Sequence, residues 1–181
     1  MESCNCLPQN MTEASSKFVA IRKDLADKYD IGEMKTWDEY TNYLTTIAEK
    51  ETPESGIYAY AASGDNKELW DVYYSKYSYW TLVQDDFLQY KYMFDGTNAP
   101  KPEDIEFVYT GEIFRNFCTE MKKLADAGCW SRGALTNTTT DDESFGALQG
   151  ASTAWNSSVF TYIKQAEETD GVECAVYDLS E

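Results

Sequence analysis

Lys17-Phe18-Val19-Ala20-Ile21-Arg22 is followed by Asp24-Leu25-Ala26-Asp27-Lys28-Tyr29 and, past Gly32, by Lys35-Thr36-Trp37-Asp38-Glu39. The first six residues alternate in character, as a strand requires when successive side chains point to opposite faces. Asp24 to Tyr29 reads as a short helix. Thr36 and Glu39 form a capping box, each side chain satisfying a free backbone N–H at a helix start. Trp37, Tyr40, Tyr43, Leu44 and Ile47 then repeat at helical spacing. Strand, helix, helix in one short run is the opening of an α/β layer structure.

The same alternation continues outward. Thr52-Pro53-Glu54-Ser55-Gly56 is a turn, Ile57 to Ala61 a strand, and Ser63-Gly64-Asp65-Asn66 its end. A helix over about 67–76 carries Leu69, Trp70, Tyr73 and Tyr74. Leu88 to Phe94 reads as a strand ended by Asp95-Gly96, and Pro100 and Pro102 mark a loop. Glu112 to Ala127 is the clearest helix, with Ile113, Phe114, Phe117, Met121 and Leu124 in one stripe and Gly128 placed for a left-handed cap. Trp130 to Thr140 is loop-like. Thr140 and Glu143 offer a second capping box before a short helix through Leu148, ended by Gly150. Ala151 to Trp155 reads as a strand. Ser157 or Ser158 caps a helix through Glu168, and Val172 to Tyr177 is the last strand.

Composition removes several kinds of chemistry. The 181 residues are 43% hydrophobic and 15% aromatic, enough for a folded core. Lys and Arg number 15 against 32 Asp and Glu, a net charge of -17. Nucleic acid and anionic membranes are repelled by that field, and no basic stripe counters it. The chain has no histidine, so Ser-His and Cys-His nucleophiles are excluded. Cys4, Cys6, Cys118, Cys129 and Cys174 form no C-x-x-C pair, which argues against zinc and against a disulfide framework. Cys118, on the helix stripe, and Cys174, in a strand, read as buried small hydrophobes. No cofactor motif is present. No apolar run reaches the length of a membrane span. Residues 1–16 lack the regions of a signal peptide, so export of a parent protein requires a targeting segment removed or outside this sequence.

Several of these stretches carry a family likeness. Leu7-Pro8-Gln9, Phe18 to Leu25 and Lys35-Thr36-Trp37-Asp38-Glu39 resemble bacterial extracellular solute-binding proteins of the maltose-binding type, family 1. There a proline-containing crossover enters the second lobe, a strand leads to an Asn/Arg-Lys-Asp-Leu turn, and Thr-Trp-Asp/Glu-Glu starts the next helix. Met121-Lys122-Lys123-Leu124-Ala125-Asp126-Ala127-Gly128, Asp142 to Gly150 and Ala151 to Trp155 continue the resemblance in the same order. Arg22-Lys23-Asp24-Leu25 followed by Lys28-Tyr29-Asp30-Ile31 is similar to a lipoprotein subgroup of Gram-positive bacteria.

The resemblance implies a periplasmic-binding-protein-like (type II) α/β lobe, a mixed sheet flanked by helices. Residues 1–16 would be the crossover or hinge segment, 17–171 the lobe, and 172–181 a strand returning toward the hinge. The family's proteins have two lobes, so the sequence corresponds to a partial chain. It implies no enzyme and no cofactor. It implies a sugar or oligosaccharide ligand, ABC transporter permease subunits as partners, and membrane attachment only through a lipid anchor on the parent protein. The location implied is extracellular, at the cell surface, or periplasmic.

A sugar offers flat C–H faces and a rim of hydroxyls, so its site needs rings to stack on and amides or carboxylates to bond. The chain has 5 Trp and 14 Tyr. Ligands of α/β sheets sit at strand ends. Trp70, after the Asp65-Asn66 loop, and Trp155-Asn156, at the return to the cleft, occupy places where the family tends to contact ligand, on one rim of the lobe. Glu13 matches a family ligand contact approximately. Core packing is the competing role for either indole, and ordinary turn chemistry for Asp65 and Asn66. Trp37 begins an apolar stripe and reads as core.

Two other functions stay open. A non-catalytic interaction module without a small ligand would have Trp70 and Trp155 both in the core. A glycosidase would need facing carboxylates, from Asp85-Asp86 or Asp141-Asp142-Glu143. Adjacent residues rarely face one another, and the second group reads as helix capping with favourable dipole placement; it lacks the alternating oxygen ligands of an EF-hand. The Asn-x-Ser/Thr triplets at Asn10, Asn137 and Asn156 read as chance in a bacterial protein.

Overall fold

A computed structural model of the chain describes residues 17–64, 68–75, 88–90, 101–155 and 158–179. β1 (Phe18–Arg22) is the middle strand of a sheet of order β4-β1-β5, with β4 at Ser152–Ala154 and β5 at Cys174–Asp178. Both pairings are antiparallel. Val19 faces Ala154 and Ile21 faces Ser152 on one side, and Phe18 faces Asp178 and Arg22 faces Cys174 on the other.

The alternation along β1 divides the interior in two. Val19 and Ile21 point into a large cluster with Tyr40, Tyr43 and Leu44 of α2 (Trp37–Thr46), and with α4 (Glu68–Ser75) and α5 (Glu112–Asp126). Ala20 points the other way, among Phe145 of α6 (Asp141–Gly146) and Val159, Ile163 and Ala166 of α7 (Val159–Asp170). Val19, Ala20 and Ile21 have no exposed surface. Helices therefore cover both faces of the sheet, the expected α/β layering. Burying Val19 and Ile21 is worth about 1.5–3 kcal/mol each.

Helix α1 (Lys23–Lys28) leaves β1 directly, and Arg22 grips Asp24 through both carboxylate oxygens at 3.0 and 2.6 Å. The Thr36 capping box forms as expected, with Glu39 N–H donating to Thr36 Oγ1 at 3.2 Å and Thr36 N–H to Glu39 Oε2 at 3.0 Å. The stripe Trp37, Tyr40, Tyr43, Leu44, Ile47 is buried throughout. Two hydroxyls lock this helix to the sheet. Tyr43 donates to the Ala151 carbonyl at 2.9 Å, and Tyr40 shares a 2.8 Å bond with the buried Ser152 hydroxyl.

Several local expectations need correction. The turn over 52–56 is instead a π-helical turn, Ile47–Glu51, running into α3 (Thr52–Ser55), closed by Gly56 at φ +77°. Ile57 to Ala61 is not a ladder strand. Only Tyr58 bridges, in parallel, to Gly150, while Tyr60 N–H turns to the Cys129 carbonyl at 3.0 Å. That bridge is isolated and lies outside the sheet; all pairs of named strands among the described residues are antiparallel, so the sheet is antiparallel there where a mixed one is expected.

β2 (Leu88–Tyr90) pairs with β3 (Ile105–Phe107), a strand too short to read from sequence. The rest of the strand expected over 88–94, and Pro100, lie outside the described residues. Pro102–Asp104 is a 3-10 turn. Helix α6 stops at Gly146, short of Leu148, which takes a left-handed φ of +59°. Ser158 starts α7 without a side-chain cap bond, and Gly128 caps α5 at φ +80° as its position suggested.

Cys118 is exposed, not buried: it lies one residue beyond Phe117, off the stripe that packs. Cys129 is fully buried, and burial pushes its thiol up to about 12. Cys174 is half-buried, its thiol pushed up to about 11 by burial first. Cys4 and Cys6 lie outside the described residues.

Candidate functional site

β4 delivers Trp155 to the end of the sheet where β1 begins. Trp155 N–H donates to the Phe18 carbonyl at 2.9 Å, which fixes the backbone there. The indole is half-buried and packs against the smaller cluster, on the α6–α7 side. The Lys17 ammonium stands over its ring, 3.6 Å from the centroid. The same ammonium lies 3.6 Å from Asp71 Oδ2 on α4. A cation over an indole face is attracted by the ring quadrupole, and a neighbouring carboxylate keeps the ammonium in place.

Trp70 is carried by α4, one residue before Asp71. It too is half-buried, but it packs against the larger cluster. Among the described residues four rings surround it: Tyr74 at 4.6 Å, Phe117 at 5.0 Å, Phe114 at 5.4 Å and Tyr73 at 6.5 Å between centroids. The two indoles thus pack against the clusters of opposite sheet faces. They are connected through Lys17 and Asp71 at the start of β1, and neither is sealed inside. Asn156, Asp65, Asn66 and Glu13 lie outside the described residues, as does Trp80. Trp37 is core, 3% exposed, edge-on to Tyr73 at 5.0 Å. Its Nε1 has no hydrogen-bond partner among the described residues.

Three participants were not found by sequence reasoning. From the sequence Lys17 reads as a strand residue and Asp71 as a helix residue, and no local pattern reveals a bond between them. Asp141 reads from the sequence as helix capping. It is 2% exposed, and its Oδ2 accepts from Tyr60 Oη at 2.7 Å, Thr153 Oγ1 at 2.7 Å and Ala154 N–H at 3.1 Å. Burial raises its carboxyl above the usual carboxylate range, against the pull of those three donors. Capping falls to its neighbours, through the Thr140–Glu143 box and Asp142, which accepts from Glu143 N–H at 3.0 Å. Asp141 holds α6, β4 and the Tyr60 segment together. Among the described residues no group of three acidic or cysteine side chains is arranged to hold a metal ion.

Described residues also line two cavities, and neither includes Trp70 or Trp155. One, of about 490 Å³, lies between the α1–α2 connection and α2 and is acidic, with Asp30, Glu33, Asp38 and Glu39 on its wall. The other, of about 400 Å³, lies between Ser55–Ala62 and the residues from Ser131 to Gln149.

No protein-family model matches the sequence, and no curated protein matches it. Solved structures do share the fold. MsmE of Bacillus subtilis, described as a binding protein and crystallised in an open conformation, is 17% identical, with a TM-score of 0.58 over 89% of this chain and 38% of its own. The GacH receptor of Streptomyces glaucescens, solved unliganded and in complex with acarbose and an acarbose homolog, is 12% identical, with a TM-score of 0.52 over 88% of this chain and 36% of its own. The chain spans less than two-fifths of the length of either structure. At such identities the likeness establishes the architecture, which is that of a periplasmic-binding-protein-like α/β lobe.

Proposed function

We propose that this chain forms most of one lobe of an extracellular solute-binding protein that captures a carbohydrate for an ABC importer, and that it does no catalysis. One observation carries this reading. A fold that accounts for 88% of the chain matches a little over a third of a receptor solved in complex with acarbose, as a part of one such protein would. The order of sequence motifs supports the same family. In this reading residues 1–16 form the crossover, 172–181 return toward the hinge, and a second lobe closes over the ligand. ABC transporter permease subunits are its partners, and the parent protein, attached to the membrane only through a lipid anchor, sits at the cell surface or in the periplasm.

The ligand meets the end of the sheet near Lys17. Trp155 supplies a stacking ring, with Asn156 beside it. Trp70, Asp65 and Asn66 contribute from the α4 side, and Glu13 from the crossover. Because Lys17 covers one face of the Trp155 indole, a sugar either displaces that ammonium or stacks on the other face.

The test is tryptophan fluorescence of the chain and of its two-lobe parent, titrated with a panel of neutral oligosaccharides that includes acarbose. A saturable change is expected. Trp155→Ala should weaken affinity about ten-fold, the worth of one aromatic contact. A parent protein with no response to any glycan overturns the proposal.

A further inference from the structure

The cavity of about 400 Å³ between Ser55–Ala62 and the Ser131–Gln149 region has no part in the function proposed above. Its size falls within the range of small-molecule sites. Among the described residues no charged side chain lines it, although 26% of the chain is charged. What lines it is neutral and polar, with an apolar floor. Tyr58, Thr139, Ser144 and Gln149 each bring a hydroxyl or amide that bonds to no described residue. Ala61 and Leu148 supply the apolar contact.

Ser144 is the decisive member. It is 3% exposed, yet its hydroxyl has no hydrogen-bond partner among the described residues. The Ser144 hydroxyl is not sealed from solvent, since it lines the cavity, and without a described protein partner there it is available to whatever enters. The walls are fixed in advance. Asn137 Nδ2 donates to the Ala62 carbonyl at 3.1 Å, and its Oδ1 accepts from Thr139 N–H at 3.1 Å. The Ser144 carbonyl accepts from Gln149 N–H at 2.8 Å and Gly150 N–H at 3.2 Å, which holds Leu148 in its left-handed conformation against the cavity. Walls that need no rearrangement reduce the ordering cost of binding.

We propose that this cavity is a second binding site, separate from Trp70 and Trp155, for a small uncharged polyhydroxylated molecule of the monosaccharide class. Hydroxyl and amide groups match a hydroxyl rim, the apolar floor matches a C–H face, and the lack of charge leaves a carboxylate or ammonium on the guest uncompensated.

The side-chain amides of Asn137 and Gln149 report on the site directly. With nitrogen-labelled chain, both are followed by NMR during titration with glucose, galactose, myo-inositol and glycerol, and with glucuronate and glucosamine as charged counterparts. At least one neutral probe should shift both amides saturably in the millimolar range. The charged analogues should bind about ten-fold more weakly. Ser144→Ala should weaken the neutral probe about five-fold, and Ser144→Val should abolish its effect by also filling the space. Trp155→Ala should leave these shifts unchanged, so failure of the cleft proposal is seen separately, as a lost tryptophan response with the amide shifts intact. No saturable shift with any neutral probe, equal binding of the charged analogues, or indifference to Ser144→Ala in a folded variant each overturns the second site.

Discussion

Asp141 shows how much of the fold can rest on one carboxylate. Three donors from three segments converge on Oδ2, so Asp141→Ala would leave them unpaired in the interior. A loss of about 3 kcal/mol is expected, read as a shift in the urea midpoint. The pH dependence has a definite sign. Burial raises the folded-state pKa above the unfolded one. The stability linked to this group is therefore complete below its unfolded value, about 3.9, and falls as pH rises through the higher folded value. Asp141→Asn removes that titration. Unfolding free energy of the wild type minus that of Asp141→Asn should decline with rising pH across this window, and a flat or rising difference would refute the assignment. Glu51 behaves oppositely. Burial pushes its carboxyl up, but Lys28 Nζ at 2.6 Å and Tyr29 Oη at 2.7 Å outweigh burial and hold it below its ordinary value. Lys17 and Asp141 were both invisible in sequence for one reason: their partners are contributed by distant segments, and no local spacing encodes such a meeting.

At the scale of elements, sequence reading succeeded where a signal is local and repeated. The Thr36–Glu39 box and the stripe from Trp37 to Ile47 define α2 within a few residues, and the structure buries that stripe. Thr36→Ala should lower stability by about 1 kcal/mol, because one helix-start N–H loses its acceptor. A thermal melt checks this, and an unchanged melting temperature would mean the cap is replaced by water at no loss. Where the pattern is short or its partner irregular, legibility ends. Ile57 to Ala61 has strand composition, but its backbone groups bond to two different segments, Gln149–Ala151 and Cys129, so no ladder forms. In the candidate site, the helix carrying Trp70 and the strand leading to Trp155 were both legible. The aromatic ring around Trp70 and the ammonium over Trp155 were not.

Across the whole molecule, stability should be graded around the middle of the sheet. β1 is paired on both edges and covered on both faces, whereas α5 keeps one full side toward solvent. Native-state hydrogen exchange should find the amides of Val19, Ala20 and Ile21 opening only with global unfolding, while amides near Arg115 and Thr119 open at lower free energy. Equal protection at the two places would contradict this ordering.

β1 feeds two interiors from alternate residues, Val19 and Ile21 into one and Ala20 into the other. Deleting a single residue between Phe18 and Arg22 would exchange those assignments, driving bulky side chains against α7 and leaving a void beside α2. Neither interior could be repaired alone, since one backbone serves both. Gene variants of altered length should therefore accumulate in the connections and be missing from this strand, where even one codon gained or lost would abolish both halves of the lobe together.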